Sequence, residues 1–233
     1  MSVKSMKCFL TFCLPIFSLL VSCGKPLSSN KAQSVLVYSS SATQPWLADL
    51  YNCASGSTAI HLSDFPNESD LTLRFGEPEF FNGVAYQVGE EEIDVLINQH
   101  NPISNLSQEQ VQALFTGKIR NWQELGGTDA LVQVWAFAAG EDIQQAFDKM
   151  VLEDVPVSSL ARQAVDINGM VQVVATDMNA IGLIPSHFNL SLSLTDLERA
   201  VRKIDIDLSV PILALTPSVP KKTVRDLLAC MKK

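Results

Sequence analysis

Strand-forming and helix-forming signals alternate along most of this chain, and that alternation predicts an α/β fold with largely parallel sheets. Two further observations support it. Hydrophobic residues make up 47% of the 233 residues, enough for a sizeable core and too many for a disordered chain. No internal repeat and no low-complexity tract interrupts the alternation after residue 33. The length suits one large domain or two small lobes.

The N-terminus precedes the fold. Lys4 and Lys7 lead into an apolar run from Phe9 to Val21, which ends at Leu20-Val21-Ser22-Cys23. A basic start, a short apolar middle and a small-residue cleavage site make a secretory signal. The cysteine makes it resemble a bacterial lipoprotein signal, Leu-x-(small)-Cys. An uncleaved anchor helix is the competing reading, but the run falls short of the ~20 apolar residues a spanning helix needs. The expected mature chain starts at Cys23 and carries lipid there. It lies outside the cytoplasm, held to a membrane of the bacterial cell envelope. Lys25 to Gln33 is polar and aperiodic, so residues 23–33 are expected to be a flexible tether.

Removing residues 1–22 takes two lysines and no acids, so the formal charge goes from −8 to −10. An acidic surface is a poor partner for phosphodiester backbones, and no nucleic-acid binding is expected.

Ser34 to Tyr38 forms the first strand signal. Ser39-Ser40-Ser41 follows, then Pro45 and a helical face of Trp46, Leu47, Leu50 and Tyr51. A helix approached through hydroxyl residues suits an anion, although one serine could simply cap the helix. Leu71 to Arg74 alternates as a short strand, ended by the turn signal Phe75-Gly76-Glu77-Pro78. Arg74 is a candidate donor to a carboxylate or phosphate, or else a solvated surface residue. Val84–Val88 and Ile93–Ile97 read as two strands divided by Gly89-Glu90-Glu91-Glu92.

Ser107-x-x-Gln110 is a capping box before the apolar face Val111, Leu114 and Phe115, and Gly117 closes that helix. Leu131 to Phe137 reads as a buried strand. Gly140 opens a second helix with Ile143, Ala146, Phe147, Met150 and Val151 at helical spacing. A helix from Gly169 to Thr176, a strand from Ala180 to Pro185, a capped turn at Thr195-x-x-Glu198, a strand from Val210 to Leu215 and a helix from Pro220 to Met231 complete the pattern.

Of the five cysteines, Cys8 and Cys13 leave with the signal and Cys23 carries the lipid. Cys53 and Cys230 remain, either bridged in an oxidising compartment or free and buried. His61, His100 and His187 are scattered, and no Cys/His cluster has metal-ligand spacing. There is no Ser/His/Asp order and no nucleophile elbow, so no catalytic residue, metal or cofactor is expected.

The segment Asn101-Pro102 through Phe115-Thr116-Gly117, Ile119-Arg120-Asn121-Trp122 and Gly126-Gly127 closely resembles the phosphate-binding proteins of ABC transporters. Met170 to Ala175 with Ala180-Ile181-Gly182-Leu183 is a second match, and the Ser-rich turn before Pro45 a weaker third. The resemblance implies a two-lobed periplasmic-binding-protein-like fold of type II, with a ligand cleft between lobes. Lobe one would hold residues 34–98 plus 187–233, and lobe two residues 99–186. Cys53 and Cys230 would both lie in lobe one, which favours a disulfide between them. The implied function is a lipid-anchored, monomeric solute-binding protein for a small molecule or ion, partnered by an ABC permease. The alternative is a sensing or interaction lipoprotein that keeps the fold without small-molecule binding.

The ligand-reading positions depart from that family. Its helix corresponding to the one near Gly140 opens with Arg, then Gly-Ser-Gly-Thr. Here Phe137 takes the Arg position, and Glu141, Asp142 and Ile143 replace Ser, Gly and Thr. Two carboxylates there repel an anion and supply no donor when ionised. Tight phosphate binding is therefore not expected. The candidate ligand-binding residues are Ser40, Ser41, Arg74, Gly140, Glu141 and Asp142. The acidic pair could serve a cation or amine, or only complement the helix dipole.

Overall fold

In a computed structural model, residues 33–54, 56, 58–188 and 200–232 are described. The chain order is β1 (Gln33–Ser39), α1 (Leu47–Cys53), β2 (Thr58–Leu62), β3 (Leu71–Phe75), β4 (Val84–Asn98), α2 (Gln108–Phe115), β5 (Gln133–Ala136), α3 (Asp142–Met150), β6 (Arg162–Gln163), α4 (Ile167–Thr176), β7 (Ala180–Pro185), β8 (Val201–Thr216) and α5 (Lys222–Met231). The strands form one eight-stranded sheet in the order β2-β1-β3-β8-β4-β7-β5-β6.

The sheet is mixed. Its two ends are parallel, β1 with β2 and β3, and β5 with β6 and β7. Its centre is antiparallel, where β8 pairs with β3 and β4, and β4 with β7. The parallel pairings are the ones joined through intervening helices or longer connections, as that geometry requires. The antiparallel centre is a long β4–β8 ribbon. Its two ends have different neighbours: β3 lies beside Ile212–Leu215 of β8, and β7 beside Ile93–Ile97 of β4.

Two irregularities divide the ribbon. The register shifts between Gln87 and Gly89, and again between Glu92 and Asp94. At the second shift Asp207 adopts φ +52°, and its N–H donates to Asp205 Oδ1 at 2.7 Å. Bulges bend and twist a strand locally, so this ribbon need not be flat between its two ends.

The two strands expected at Val84–Val88 and Ile93–Ile97 are one strand, β4. The glutamate-rich stretch stays extended because Glu91 is buried and partnered. Gly89 admits Trp46, since a Cβ there would stand 2.1 Å from Trp46 Cη2. The strand expected from Val210 likewise begins earlier, at Val201. The helix expected from Gly169 starts at Ile167, because Asp166 is its N-cap and accepts from Gly169 N. The helix after the Ser-rich turn begins at Leu47, preceded by a 3-10 turn over Ser41–Trp46 with no side-chain cap from Ser40. The turn expected at Thr195–Glu198 lies outside the described residues, as do the signal, the tether up to Ala32, and Cys23.

The capping box at Ser107 is fully formed, with both reciprocal hydrogen bonds, and Gly117 follows α2 at φ +75°. Trp122 is fully buried and its indole N–H donates to Asn179 O at 3.0 Å. Asn101 accepts from Ile103 N and donates to Met178 O. The Asn101–Gly127 block is thus scaffold that ties α2 and its following turn to the connection before β7. Cys53 and Cys230 are joined by a disulfide, with Cα atoms 5.7 Å apart. It fastens α1 to α5. Among the described residues no helix is long and apolar enough to cross a membrane, and no cluster of His, Cys, Asp and Glu could hold a metal ion.

Candidate ligand site

Three short segments meet at one cavity. The first is the turn after β1, where Ser39, Ser40 and Thr43 share hydroxyl contacts of 3.0 Å. Thr43 is fully buried and its hydroxyl donates to Leu73 O, which fixes the turn against β3. The second is the end of β3, with Arg74 and Phe75. The third is the start of α3. The cavity is about 280 Å³, and its lining includes Tyr38, Ser40, Arg74, Gly140, Glu141 and Asp142. Pro66, Pro78, Phe80 and Phe81 form an apolar rim, and Phe80 is 87% exposed.

Five of the six predicted site residues line this cavity, although Arg74 and Asp142 are far apart in sequence. Ser41 is linked to them: its hydroxyl donates to Glu141 Oε2 at 3.1 Å. Arg74 Nη2 donates to Gln145 Oε1, while its Nε is buried without a partner. Phe137, at the Arg position of the resembling family, is a buried core residue whose N–H donates to Gln144. It contributes no charge to the site.

Asp142 departs most from its expected role. It does not simply face the helix dipole from solvent. It is 4% exposed. Its Oδ2 accepts from Phe75 N at 2.7 Å and its Oδ1 from Ile143 N at 2.9 Å. Burial raises its pKa above the ordinary aspartate value, and it outweighs the hydrogen bond from Ser40, those from Phe75 and Ile143, and the charge of Arg74, all of which pull it down. Burial also raises Tyr38, and the charges of Asp142 and Glu141 add to that while Arg74 opposes it. The potential at the Tyr38 hydroxyl is therefore set more by the two acids than by the arginine.

Sequence reasoning missed Tyr38, Phe75, Gln145 and the Phe80-Phe81 rim. Phe75 acts through its backbone N–H, which leaves no mark in the sequence. Gln145 is found only once β3 and α3 are known to meet. The adjacent pair Phe80-Phe81, beyond a turn and outside any apolar period, was the one legible signal.

A mixed sheet with this strand order, helices packed on both of its ends and a cavity between the turn after β1 and a helix N-terminus define a binding-protein fold. A family model described as a PBP superfamily domain matches residues 17–223, and the chain belongs to that superfamily. It is a divergent member. It is 26% identical over 100 residues to the phosphate-binding protein PstS of Bacillus subtilis (strain 168), a match covering 42% of this chain and 33% of that relative's length. The fold is shared with an ABC-type phosphate transport receptor from Vibrio cholerae, at TM-score 0.64 and 19% identity over 85% of this chain and 93% of that one. It is also shared with the reduced OxyR regulatory domain from Pseudomonas aeruginosa, at TM-score 0.62 and 11% identity over 88% of this chain and 97% of that one.

Proposed function

We propose that this chain is an extracytoplasmic solute-binding protein, lipid-anchored through Cys23, which takes a small ligand other than free phosphate in the cavity beside Asp142 and hands it to an ABC permease. In this reading residues 34–98 plus 187–233 and residues 99–186 act as two lobes about the β4–β8 ribbon. The cavity lies where they meet, and Ser40, Ser41, Arg74, Gly140, Glu141 and Asp142 are its working residues. Domain closure about a solute is a common use of such geometry. The protein works as a monomer and without a cofactor, and it is not an enzyme.

The observation that carries this reading is the single cavity gathering five residues from both proposed lobes. The exclusion of phosphate rests on Asp142, because donors that could serve an oxyanion already serve a carboxylate. Relatives named for phosphate supply the transport context, and the acids supply the departure from it.

A second reading, a sensing or interaction lipoprotein without a small-molecule ligand, draws support from the contacts already made across the cleft: Phe75 with Asp142, Ser41 with Glu141, and Arg74 with Gln145. The test is a thermal-shift screen of the full-length protein in detergent against oxyanions, amino acids and cations. A ligand that binds only the folded state raises apparent stability. A saturable shift from a non-phosphate solute supports the first reading. No shift from any class favours the second, and micromolar phosphate binding overturns both.

A further inference from the structure

We propose that Asp142 is a built-in anion: its carboxylate takes the donor set of the cleft, which both excludes oxyanionic solutes and holds the two sides together without one. The inference deepens the proposed function and rests on its two-lobe reading.

Consider what the Asp142 carboxylate touches. Phe75 N belongs to the end of β3, on one side of the cleft, and reaches Oδ2 at 2.7 Å. Ile143 N belongs to the first turn of α3, on the other side, and reaches Oδ1 at 2.9 Å. The first N–H groups of a helix have no partner within the helix, and they turn to any anion placed before them. One carboxylate thus accepts from the backbone of both sides. Ser40, 7% exposed in the turn after β1, lines the same cavity, its hydroxyl 3.0 Å from that of Thr43. Backbone donors from two separate segments converge on one buried anionic group, the arrangement a bound oxyanion would require. Here the group is covalently part of α3.

The local charges agree. Arg74 lies close enough for its charge to act on Asp142, and its guanidinium is held by Gln145 of α3. Lys149 and Glu77 form a further, exposed pair between α3 and the segment after β3, at 3.7 Å. An intramolecular ligand needs no association entropy, so it outcompetes a free anion of similar contacts. An oxyanion arriving beside it would meet a fixed negative charge and find the backbone donors of Phe75 and Ile143 already taken. A solute for this cavity must therefore bring something other than an oxyanion, and Asp142 is the residue that sets that preference.

The experiment uses the full-length protein in detergent and the Asp142→Ser variant. Amide exchange at Phe75 and calorimetry with inorganic phosphate are measured on both. The wild type should show a protected Phe75 amide with no solute present and no phosphate binding at 10 mM. In Asp142→Ser the Phe75 amide should exchange at least tenfold faster. Phosphate should restore its protection and raise the unfolding midpoint by about 5–10 °C, as for a ligand ~100-fold above its dissociation constant in a domain of this size. The proposal is overturned if Asp142→Ser keeps wild-type protection, or if it gains no phosphate affinity over wild type. Should Asp142→Ser be recovered unfolded, refolding is repeated with 50 mM phosphate or formate as a free replacement for the lost carboxylate. Recovery of native circular dichroism by either anion supports the proposal, and failure of both overturns it. A solute found by the screen of wild-type protein would stand or fall independently of these outcomes.

Discussion

Two buried carboxylates, at the cleft and at the strand crossing, look alike by the usual measures and differ in what they do. Glu91 on β4 is 1% exposed and Asp142 on α3 is 4% exposed. Each accepts several hydrogen bonds. Glu91 takes the Trp46 indole N–H at 3.2 Å and the His187 backbone N–H at 2.8 Å, and pairs with His187 Nδ1 at 2.7 Å. Trp46 also meets the His187 ring edge-on, with centroids 6.3 Å apart. Those partners form a bracket that fastens the turn before α1 and the segment after β7 to the central ribbon. Asp142 takes backbone donors from β3 and α3 beside an open cavity. Burial and satisfaction do not separate structure from function here. The separating question is what the donors would bind if the carboxylate were gone. At Glu91 they would be stranded, and at Asp142 they would face a solute-sized space.

That distinction predicts different outcomes for removing each acid. Glu91→Ala removes the acceptor of the part-buried Trp46 indole N–H and His187 amide, and should cost about 2–4 kcal/mol, since a hydrogen bond to a carboxylate contributes about 1.5–3 kcal/mol. No phosphate should recover that loss. Chemical denaturation with and without phosphate is the check, and a phosphate-dependent rescue of Glu91→Ala would erase the contrast with Asp142. The next effect is steric. In Gly89→Ala the new methyl would lie 2.1 Å from Trp46 Cη2, so the indole must move off Glu91. A loss of about 1–3 kcal/mol is expected from overpacking, with a change in tryptophan fluorescence as the local sign. Unchanged stability would mean that the bracket does not depend on the Trp46 position.

The scaffold was more legible in the sequence than the site, for physical reasons. The capping box at Ser107, the glycine after α2 and the apolar spacing of α3 are local patterns, and the structure forms them. The first half of β8 was also legible. Ile204, Ile206, Leu208 and Val210 alternate with Asp205, Asp207 and Ser209, yet a strand was expected only from Val210. The misreading of β4 has another cause. Three consecutive glutamates read as a break, and only the distant Trp46 and His187 explain why Glu91 stays within a strand. At the candidate site, Ser40 and Asp142 were singled out by residue type at positions matched to a family, and Arg74 as a candidate donor at the end of a strand. Their mutual arrangement was not, because the decisive donor to Asp142 is a backbone N–H contributed from 67 residues away. The part-buried contact from Ser41 to Glu141 belongs to this same class. Ser41→Ala should cost about 1 kcal/mol of stability, as the loss of a single part-buried hydrogen bond. A larger loss would mark Glu141, rather than Asp142, as the main tie across the cleft.

The smallest effect separates the two acids by pH. Burial holds the Asp142 pKa above its ordinary value despite the hydrogen bonds and Arg74 that oppose it. The folded protein therefore binds this proton more readily than the unfolded chain does. The sign follows by linkage: the stabilising contribution is fully present below the unfolded pKa and is lost as pH rises through the raised folded pKa. An ionised Asp142 thus makes the fold less stable at neutral pH than it is in acid, the reverse of an exposed salt-bridged aspartate. Tyr38 on β1, Arg74 on β3 and Glu141 before α3 face the group and remain in both proteins when wild type is compared with Asp142→Asn. Asp148 is also raised, first by burial and then by Asp154, with Gln144 opposing, so a residual slope of the same sign should persist in the variant. Urea midpoints measured from pH 7 down to the ordinary aspartate range, with constant m-values as the check on two-state unfolding, should show wild type gaining stability relative to Asp142→Asn as pH falls. A relative loss of wild-type stability on acidification would mean that the hydrogen bonds and the charge of Arg74 together outweigh burial at Asp142.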